Sequence, residues 1–331
     1  MLASPVVQSP AKRRGRAVRG GLAAFLALGA LALLASACAG EDRGAPSAGS
    51  GAGTPVTGAA PATFPLVLRD STGTEVRLAK VPERVISLSP GATEILFSIG
   101  AGDRVVGTDA FSDFPDAAAK TQKIDYSNPS PEAAIALKPD LVIMATRQEQ
   151  FVAQFRSLGM TVFLAREPEN LEGVYASIDL LGRLTGRPVE AARVSTEMRT
   201  KIEAVTASLS DVTTGPRVFF ELDPTLFTVA PNSFVGAMLT TLKARNIAPS
   251  GSSPFPQVTA EAVLAADPEV IILSHPGATS DVGARPGWGA VSAVRNSRIY
   301  AVNPDLVNRP GPRLAEGIRV LALALYPDRV H

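Results

Sequence analysis

The most regular feature of this chain is a pattern of apolar and polar positions that occurs twice. Residues 132–144 read Glu-Ala-Ala-Ile-Ala-Leu-Lys-Pro-Asp-Leu-Val-Ile-Met, and residues 261–273 read Glu-Ala-Val-Leu-Ala-Ala-Asp-Pro-Glu-Val-Ile-Ile-Leu. Each copy predicts a short apolar helix that begins at a glutamate, ends before a proline and leads into a buried strand. An aromatic residue, Tyr126 or Phe255, lies six positions before each glutamate. Any α/β protein repeats helix–strand units, but these equal offsets favour two related α/β lobes.

Other segments predict the remaining elements of the two lobes. A turn signal between two short apolar runs predicts a hairpin over residues 66–78. In the first half, the apolar patterns predict strands at 85–88, 105–108, 141–145 and 161–164, and helices at 90–100 (with Ser89 as the cap), 150–158 and 170–186. In the second half, they predict strands at 217–222 and 298–302, and helices at 234–242 and 313–325.

A long helix is predicted between the two halves. It begins at Pro188 and carries apolar residues at intervals of four, four, three and four positions: Val194, Met198, Ile202, Val205 and Leu209. This spacing gives one apolar stripe and a polar remainder, so the helix is expected to lie on a surface and to connect the lobes.

The first 37 residues predict a signal peptide. Five basic residues precede an uncharged apolar run, Gly20 to Ala37, which ends in small residues directly before Cys38. The sequence therefore predicts a lipoprotein, cut before Cys38 and acylated on its thiol. Ala35 replaces the usual leucine three positions before the cysteine. The alternative is an uncleaved signal anchor, because the run approaches the length of a membrane span.

Composition indicates the domain boundaries and argues against a nucleic-acid-binding protein. Residues 41–61 are almost entirely Ala, Gly, Ser, Pro and Thr, and such a stretch cannot bury enough apolar surface to fold. We therefore expect a signal peptide (1–37), a tether (38–65), an N-terminal lobe (66–186), a connecting helix (187–210) and a C-terminal lobe (211–331). Without its signal peptide the chain has 27 basic and 31 acidic residues, which argues against nucleic acid as a partner.

The chain lacks the motifs of common enzymes. It has no phosphate-cradling glycine loop, no nucleophile elbow and no Cys/His metal spacing, and His275 and His331 are its two histidines. Cys38 is the one cysteine, so no disulfide forms within the chain. We therefore expect a binding protein that needs no cofactor, and not an enzyme.

Three motifs carry a family resemblance. Ser-Pro-Gly-Ala-Thr-Glu at 89–94, Ser-Asp-Phe-Pro at 112–115 and Leu-Lys-Pro-Asp-Leu-Val-Ile at 137–143 resemble the substrate-binding proteins of ABC importers for iron–siderophore, haem and cobalamin. The resemblance extends from about residue 66 to residue 326. It implies the class III periplasmic binding protein fold, which has two Rossmann-like lobes joined by one long rigid helix.

The expected ligand site lies between the lobes. In parallel α/β lobes, ligands sit beyond the carboxyl ends of the strands, and the loops there carry four aromatic residues and one acid–base pair: Phe111, Tyr126, Phe227, Phe255, Asp305 and Arg309. Aromatic rings suit a large, flat, partly apolar ligand. In cobalamin-binding members of the family, aromatic residues and an Asp-x-x-x-Arg match these positions. The resemblance thus implies cobalamin, with haem or a ferric siderophore as the alternative, although Ala145 stands where one member has tryptophan.

Each of these residues also has a simpler interpretation. The four aromatic residues could belong to the core, and Asp305 and Arg309 could form a loop ion pair. His275 is expected in a loop, with a metal or haem ligand as the less favoured role, and Trp288 is expected in the core. An adhesion or sensory module on the same fold is the alternative function.

The resemblance also implies partners. In this family the receptor sits across a two-fold permease with its ATPase subunits, and a carboxylate on each lobe meets arginines of the permease. Glu132 and Glu261 match those docking positions, and the internal repeat makes them equivalent. We expect a monomer that is held by lipid on the outer face of the cell membrane and whose lobes move little relative to each other.

Cys38→Ser is expected to release the protein from membranes into the soluble fraction, because the acyl chains supply the attachment. Cell fractionation followed by immunoblotting measures this. A variant that stays with the membranes would instead indicate an uncleaved signal anchor.

Overall fold

The computed structural model describes residues 62–251, 253–277 and 279–330. The signal peptide, Cys38 and almost all of the expected tether lie outside the described residues, and so does His331. None of the described helices is long and apolar enough to cross a membrane.

The described chain begins with the predicted hairpin. Strands β1 (Leu66–Arg69) and β2 (Glu75–Leu78) pair antiparallel. The buried carboxylate of Asp70 forms the turn, since its Oδ1 accepts hydrogen bonds from the backbone N–H groups of Thr72 and Thr74. Its other oxygen accepts from Arg156, 2.7 Å away, which ties the hairpin to the first lobe.

The first lobe is a parallel five-stranded sheet with flanking helices. Its strands are β3 (Val85–Leu88), β4 (Val105–Asp109), β5 (Gln122–Ile124), β6 (Leu141–Ala145) and β7 (Val162–Ala165), in the order β5-β4-β3-β6-β7. Its helices are α1 (Pro90–Ser98), α2 (Asp116–Ala119), α3 (Pro131–Ala136), α4 (Glu149–Ser157) and α5 (Leu171–Leu184). Strands β3 and β6 are buried along their whole length, as the continuous apolar runs predict.

Helix α6 (Pro188–Ala207) follows, and then the second sheet. This sheet contains β8 (Arg217–Glu221), β9 (Arg245–Asn246), β10 (Val270–Leu273) and β11 (Ile299–Ala301), all parallel, in the order β11-β10-β8-β9. Its helices are α7 (Phe234–Thr241), α8 (Ala260–Ala266), α9 (Thr279–Gly283), α10 (Ser292–Arg295), α11 (Pro304–Val307) and α12 (Leu314–Leu325). Four strands of each sheet follow the same order. In the first sheet this order is β4-β3-β6-β7, with β5 added at the edge beyond β4, and in the second sheet it is β9-β8-β10-β11.

The long helix packs against both lobes. Its stripe is buried as predicted, with Met198 and Ile202 at most 5% exposed, and it contacts α5 on one side and α12 on the other. One continuous apolar core therefore contains side chains of the first sheet, α6 and the second sheet.

Three local predictions differ from the structure. Ser89 occupies the N-cap position of α1, but its side chain accepts no capping hydrogen bond. Asp305 lies in the first turn of α11, not in a loop, because Asn303 caps this short helix and Pro304 begins it. The sequence patterns also missed β5 and β9, which are too short to show an alternation of their own.

Candidate ligand-binding site

A cleft of about 350 Å³ opens at the carboxyl ends of the first sheet. Its floor is the start of α1, and the loops after β4, β5, β6 and β7 form its walls, together with part of α5. Residues 308–310, between α11 and α12, close it from the second lobe. The place agrees with the general rule for parallel sheets, in which loops beyond the carboxyl ends of strands form the site.

Two of the predicted aromatic residues meet in this cleft. Phe111 and Tyr126 contact edge to face, with ring centroids 5.5 Å apart. The loop of Phe111 is fixed by the buried carboxylate of Asp109, which accepts hydrogen bonds from the Phe111 N–H (2.8 Å) and the Ser112 hydroxyl. Burial raises the pKa of Tyr126, and nearby Glu167 raises it further, so its phenol keeps its proton.

The other two aromatic residues lie on the second lobe, outside this cleft. Phe227 and Phe255 are on neighbouring segments joined by the hydrogen bond from Thr228 N to Pro256 O, 2.9 Å. Both rings are more than one-third exposed, and Phe111 is 58% exposed. The core interpretation is therefore wrong for these three phenylalanines.

Arg309 lines the cleft, and two carboxylates neutralise its positive charge. Its Nη2 lies 2.7 Å from Asp305 Oδ1, and its Nη1 lies 2.6 Å from Asp113 Oδ1. The ion pair that the sequence left open as an alternative therefore forms, and Asp305 itself does not line the cavity. The hydrogen bond from Arg309 lowers the pKa of Asp113.

A second ion pair stands beside the first. Arg313 donates two hydrogen bonds to Glu94, which is 2% exposed, and the Arg313 guanidinium lies 3.9 Å from the centre of the Phe114 ring. Burial raises the pKa of Glu94, while Arg313 and Arg309 oppose the shift. We call this group the interlobe cluster, because Glu94, Asp113 and Phe114 come from the first lobe, and Arg309 and Arg313 from the second.

The backbones of the two lobes also approach closely at this point. A Cβ on Gly91 would lie 2.7 Å from the Pro310 carbonyl oxygen, so only glycine fits there. The close approach explains why the first family motif contains a glycine directly after its proline.

Sequence reasoning missed three charged residues of the cleft. Arg147 follows β6, and Arg166 and Glu167 follow β7. Arg147 Nε lies 2.9 Å from Glu167 Oε2. Their place directly after buried strands was the signal that could have identified them.

His275 lies outside the cleft, in a bend after β10. Its Nε2 is 3.0 Å from Glu221 Oε1 and its Nδ1 is 3.0 Å from the Pro276 carbonyl oxygen. Glu221 is fully buried and accepts two further bonds from Arg285. Both ring nitrogens thus face protein oxygens, which does not favour the metal or haem role. In the described part of the chain, no group of three or more His, Cys, Asp or Glu residues is arranged to hold a metal ion.

The remaining predicted residues have clear positions. Trp288 is 1% exposed and packs against Phe219, so its core assignment is confirmed. Glu132 and Glu261 are exposed in the first turns of α3 and α8. Each lies two positions after a capping hydroxyl residue, Ser130 or Thr259, and this extends the internal repeat to the helix caps.

Comparison with known proteins identifies the family. The sequence profile described as periplasmic binding protein matches residues 85–306. The chain belongs to this family. It is similar to an uncharacterised ABC transporter substrate-binding lipoprotein of Bacillus subtilis, with 31% identity over 80% of this chain and 87% of the relative. A cobalamin-binding protein of Halobacterium salinarum is 32% identical over 80% and 75% of the two chains.

A solved structure gives the same fold. The periplasmic heme-binding protein RhuT of Roseiflexus, in its apo form, superposes with a TM-score of 0.68 and 26% identity, over 74% of this chain and 98% of its own. The predicted class III fold is therefore confirmed. The chain is an extracytoplasmic substrate-binding component of an ABC importer, and such proteins bind ligands without catalysing a reaction.

Removal of one carboxylate tests the interlobe cluster. Asp113→Asn is expected to lower the free energy of unfolding by up to about 1 kcal/mol at pH 7, because the Asp113 side chain is 57% exposed and solvent screens its ion pair. Arg309 lowers the pKa of Asp113 below 3.8, so the difference should persist down to about that pH and vanish as the pH falls further.

Melting temperatures of the variant and the wild type over this pH range measure the effect. Asp179→Asn, an exposed change on α5, is the control and should shift nothing. A difference that stays constant to pH 2 would contradict the ionic origin.

Proposed function

We propose that this protein captures cobalamin outside the cytoplasmic membrane and delivers it to an ABC permease. The observation that carries the proposal is a set of four aromatic side chains, two lining the cleft and two exposed on the second lobe, whose contact with water is unfavourable unless a ligand covers them. Phe111 and Tyr126 line the cleft on the first lobe, and Phe227 and Phe255 are exposed on the second. A corrin ring would cover such rings and bury apolar area on both faces.

The size of the cleft supports a ligand that extends beyond it. A volume of about 350 Å³ is at the lower end for small-molecule sites, and cobalamin is a large ligand. Part of the ligand would therefore lie over the exposed rings of the second lobe. Asp305 and Arg309 would orient its polar rim, provided that Arg309 exchanges a carboxylate partner for a ligand oxygen.

Haem or a ferric siderophore is the second candidate. The similarity to the haem-binding protein of Roseiflexus favours haem, and so does the Tyr126 oxygen in the cleft, a type of ligand that haem iron accepts, although the raised pKa of Tyr126 opposes the phenolate form. Cobalamin remains the first choice because the cobalamin-binding relative is 32% identical in sequence, against 26% for the haem-binding protein.

A spectroscopic titration distinguishes the candidates. The purified domain from residue 66 onward is expected to bind cobalamin with one-to-one stoichiometry, followed by visible absorbance. Asp305→Ala or Arg309→Ala should weaken binding by roughly 1–3 kcal/mol, since each removes a charged hydrogen-bonding group proposed to orient the polar rim of the ligand.

Phe111→Ala should also weaken cobalamin binding, whereas Leu158→Ala, which removes an exposed apolar side chain outside the cleft, should not. Tight haem binding that is lost in Tyr126→Ala, together with no cobalamin binding, would reject cobalamin in favour of haem.

The proposal includes the anchor and the partner. A lipid on Cys38 would keep the protein, as a monomer, near the importer. Glu132 and Glu261 would contact cationic side chains of a two-fold permease. Their exposure and their equivalent places after matching helix caps support this role.

Reversing these two charges tests the docking. Glu132→Lys with Glu261→Lys is expected to abolish uptake while ligand affinity and melting temperature change little, because docking charges act on association with the partner. A glutamate with only a local role would contribute roughly 0.3–1 kcal/mol through the helix dipole. Glu149→Lys is the control, since Glu149 is also an exposed acidic residue in the first turn of a helix, α4, but lies outside the internal repeat. Normal uptake by the double variant would refute docking.

A further inference from the structure

The first-lobe wall of the cleft carries a positive charge that the protein itself does not neutralise. Among the charged residues of this wall, Arg147 is paired with Glu167. Arg166 also lines the cleft and has no ion-pair partner among the residues that the structure describes. The three side chains together leave one positive charge on the wall.

The sheet fixes the positions of these arginines. Ala145, the last residue of β6, pairs directly with Ala165, the last residue of β7. Arg166 and Arg147 follow these alanines by one and two positions, so both lie at the edge of the sheet where β6 and β7 end. Both alanines line the cleft too, and their small side chains fill little of it.

The opposite side of the cleft differs in its charge. Arg309 is held by Asp113 and Asp305, and Arg313 by Glu94. These five residues sum to one negative charge. Of these five residues only Arg309 lines the cleft, and two carboxylates pair with it, so the unneutralised positive charge lies on the first-lobe wall. This asymmetry would select the orientation of a charged ligand.

From this arrangement we propose that Arg166, assisted by Arg147, forms an anion subsite, and that the transported ligand carries a phosphate or carboxylate group that binds there. A guanidinium presents paired N–H donors that match both groups. Glu167 holds Arg147 toward the cleft and leaves Arg166 free to bind the ligand.

This inference rests on the proposed function and specifies its ligand class. Cobalamin carries a phosphodiester in its nucleotide loop, and haem carries propionates at its edge. Either group could reach the Arg166 wall while the ring lies against Phe111 and Tyr126. A neutral chelate would use only the aromatic rings.

The test compares ligands with and without the anionic group. Wild-type protein, Arg166→Met and Arg166→Lys are titrated with cyanocobalamin and with dicyanocobinamide, which lacks the phosphate. They are also titrated with haem and with haem dimethyl ester, which lacks free carboxylates. Melting temperatures confirm that every variant is folded.

Within one of the two ligand pairs, wild-type protein should bind the anionic member roughly tenfold to a hundredfold more tightly than the member without the anionic group. A hydrogen bond to a charged group contributes about that much affinity. Arg166→Met should remove this preference with little effect on the neutral member, and Arg166→Lys should retain part of it. The pair whose preference is lost in Arg166→Met shows whether Arg166 binds a phosphate or a carboxylate. The control is Arg183→Met, an exposed change on α5, which should retain the full preference.

Three results would overturn the inference. If wild-type protein binds cyanocobalamin but Arg166→Met weakens both members of each bound pair equally, or neither, the anion subsite is wrong and the proposed function stands. The same result with haem as the one ligand bound would overturn both the subsite and the choice of cobalamin. If wild-type protein binds none of the four compounds, the proposed function and the subsite both fail.

Discussion

The structure depends first on the apolar stripe of helix α6. Met198 and Ile202 are buried where α6 meets α5 of the first lobe and α12 of the second, so the two sheets share one continuous core. Opening the lobes widely would expose part of this core to water, and the hydrophobic effect opposes that. The cleft is therefore largely preformed, and small adjustments of its loops are the motions that the packing permits.

The interlobe cluster adds specific charged contacts between the two lobes to this shared apolar core. Glu94 is almost completely buried, and a carboxylate in that position is tolerated only because two hydrogen bonds from Arg313 offset the lost hydration. The loop that carries Phe111 also carries Asp113 and Phe114, which contact arginines of the other lobe. The aromatic wall and the contact between the lobes are thus parts of one loop, and a ligand that engages Arg309 must affect both.

The two sides of the cleft present differently paired arginines to a ligand. On the second-lobe side, every arginine of the interlobe cluster is paired, so new hydrogen bonds there require an exchange of partners. On the first-lobe side, two arginines follow neighbouring strands, and of the two only Arg147 is paired with an acidic residue, Glu167, among the described residues. Strand pairing produces this difference, since it brings residues about twenty positions apart in sequence to the same edge of the sheet.

The sequence by itself determined the elements whose patterns are local. The strand at 141–145, the stripe on α6 and the repeat around Glu132 and Glu261 follow from apolar periodicity and proline positions, and the structure contains each of them. The family motifs then indicated the fold class. Only the tertiary structure decided which side chains meet, because contacts such as Glu94 with Arg313 join residues more than two hundred positions apart. For the same reason, only the structure placed Phe111 against Tyr126, put Phe227 and Phe255 outside their cleft, and paired Arg147 with Glu167. Periodicity in the sequence contains no information on such distances.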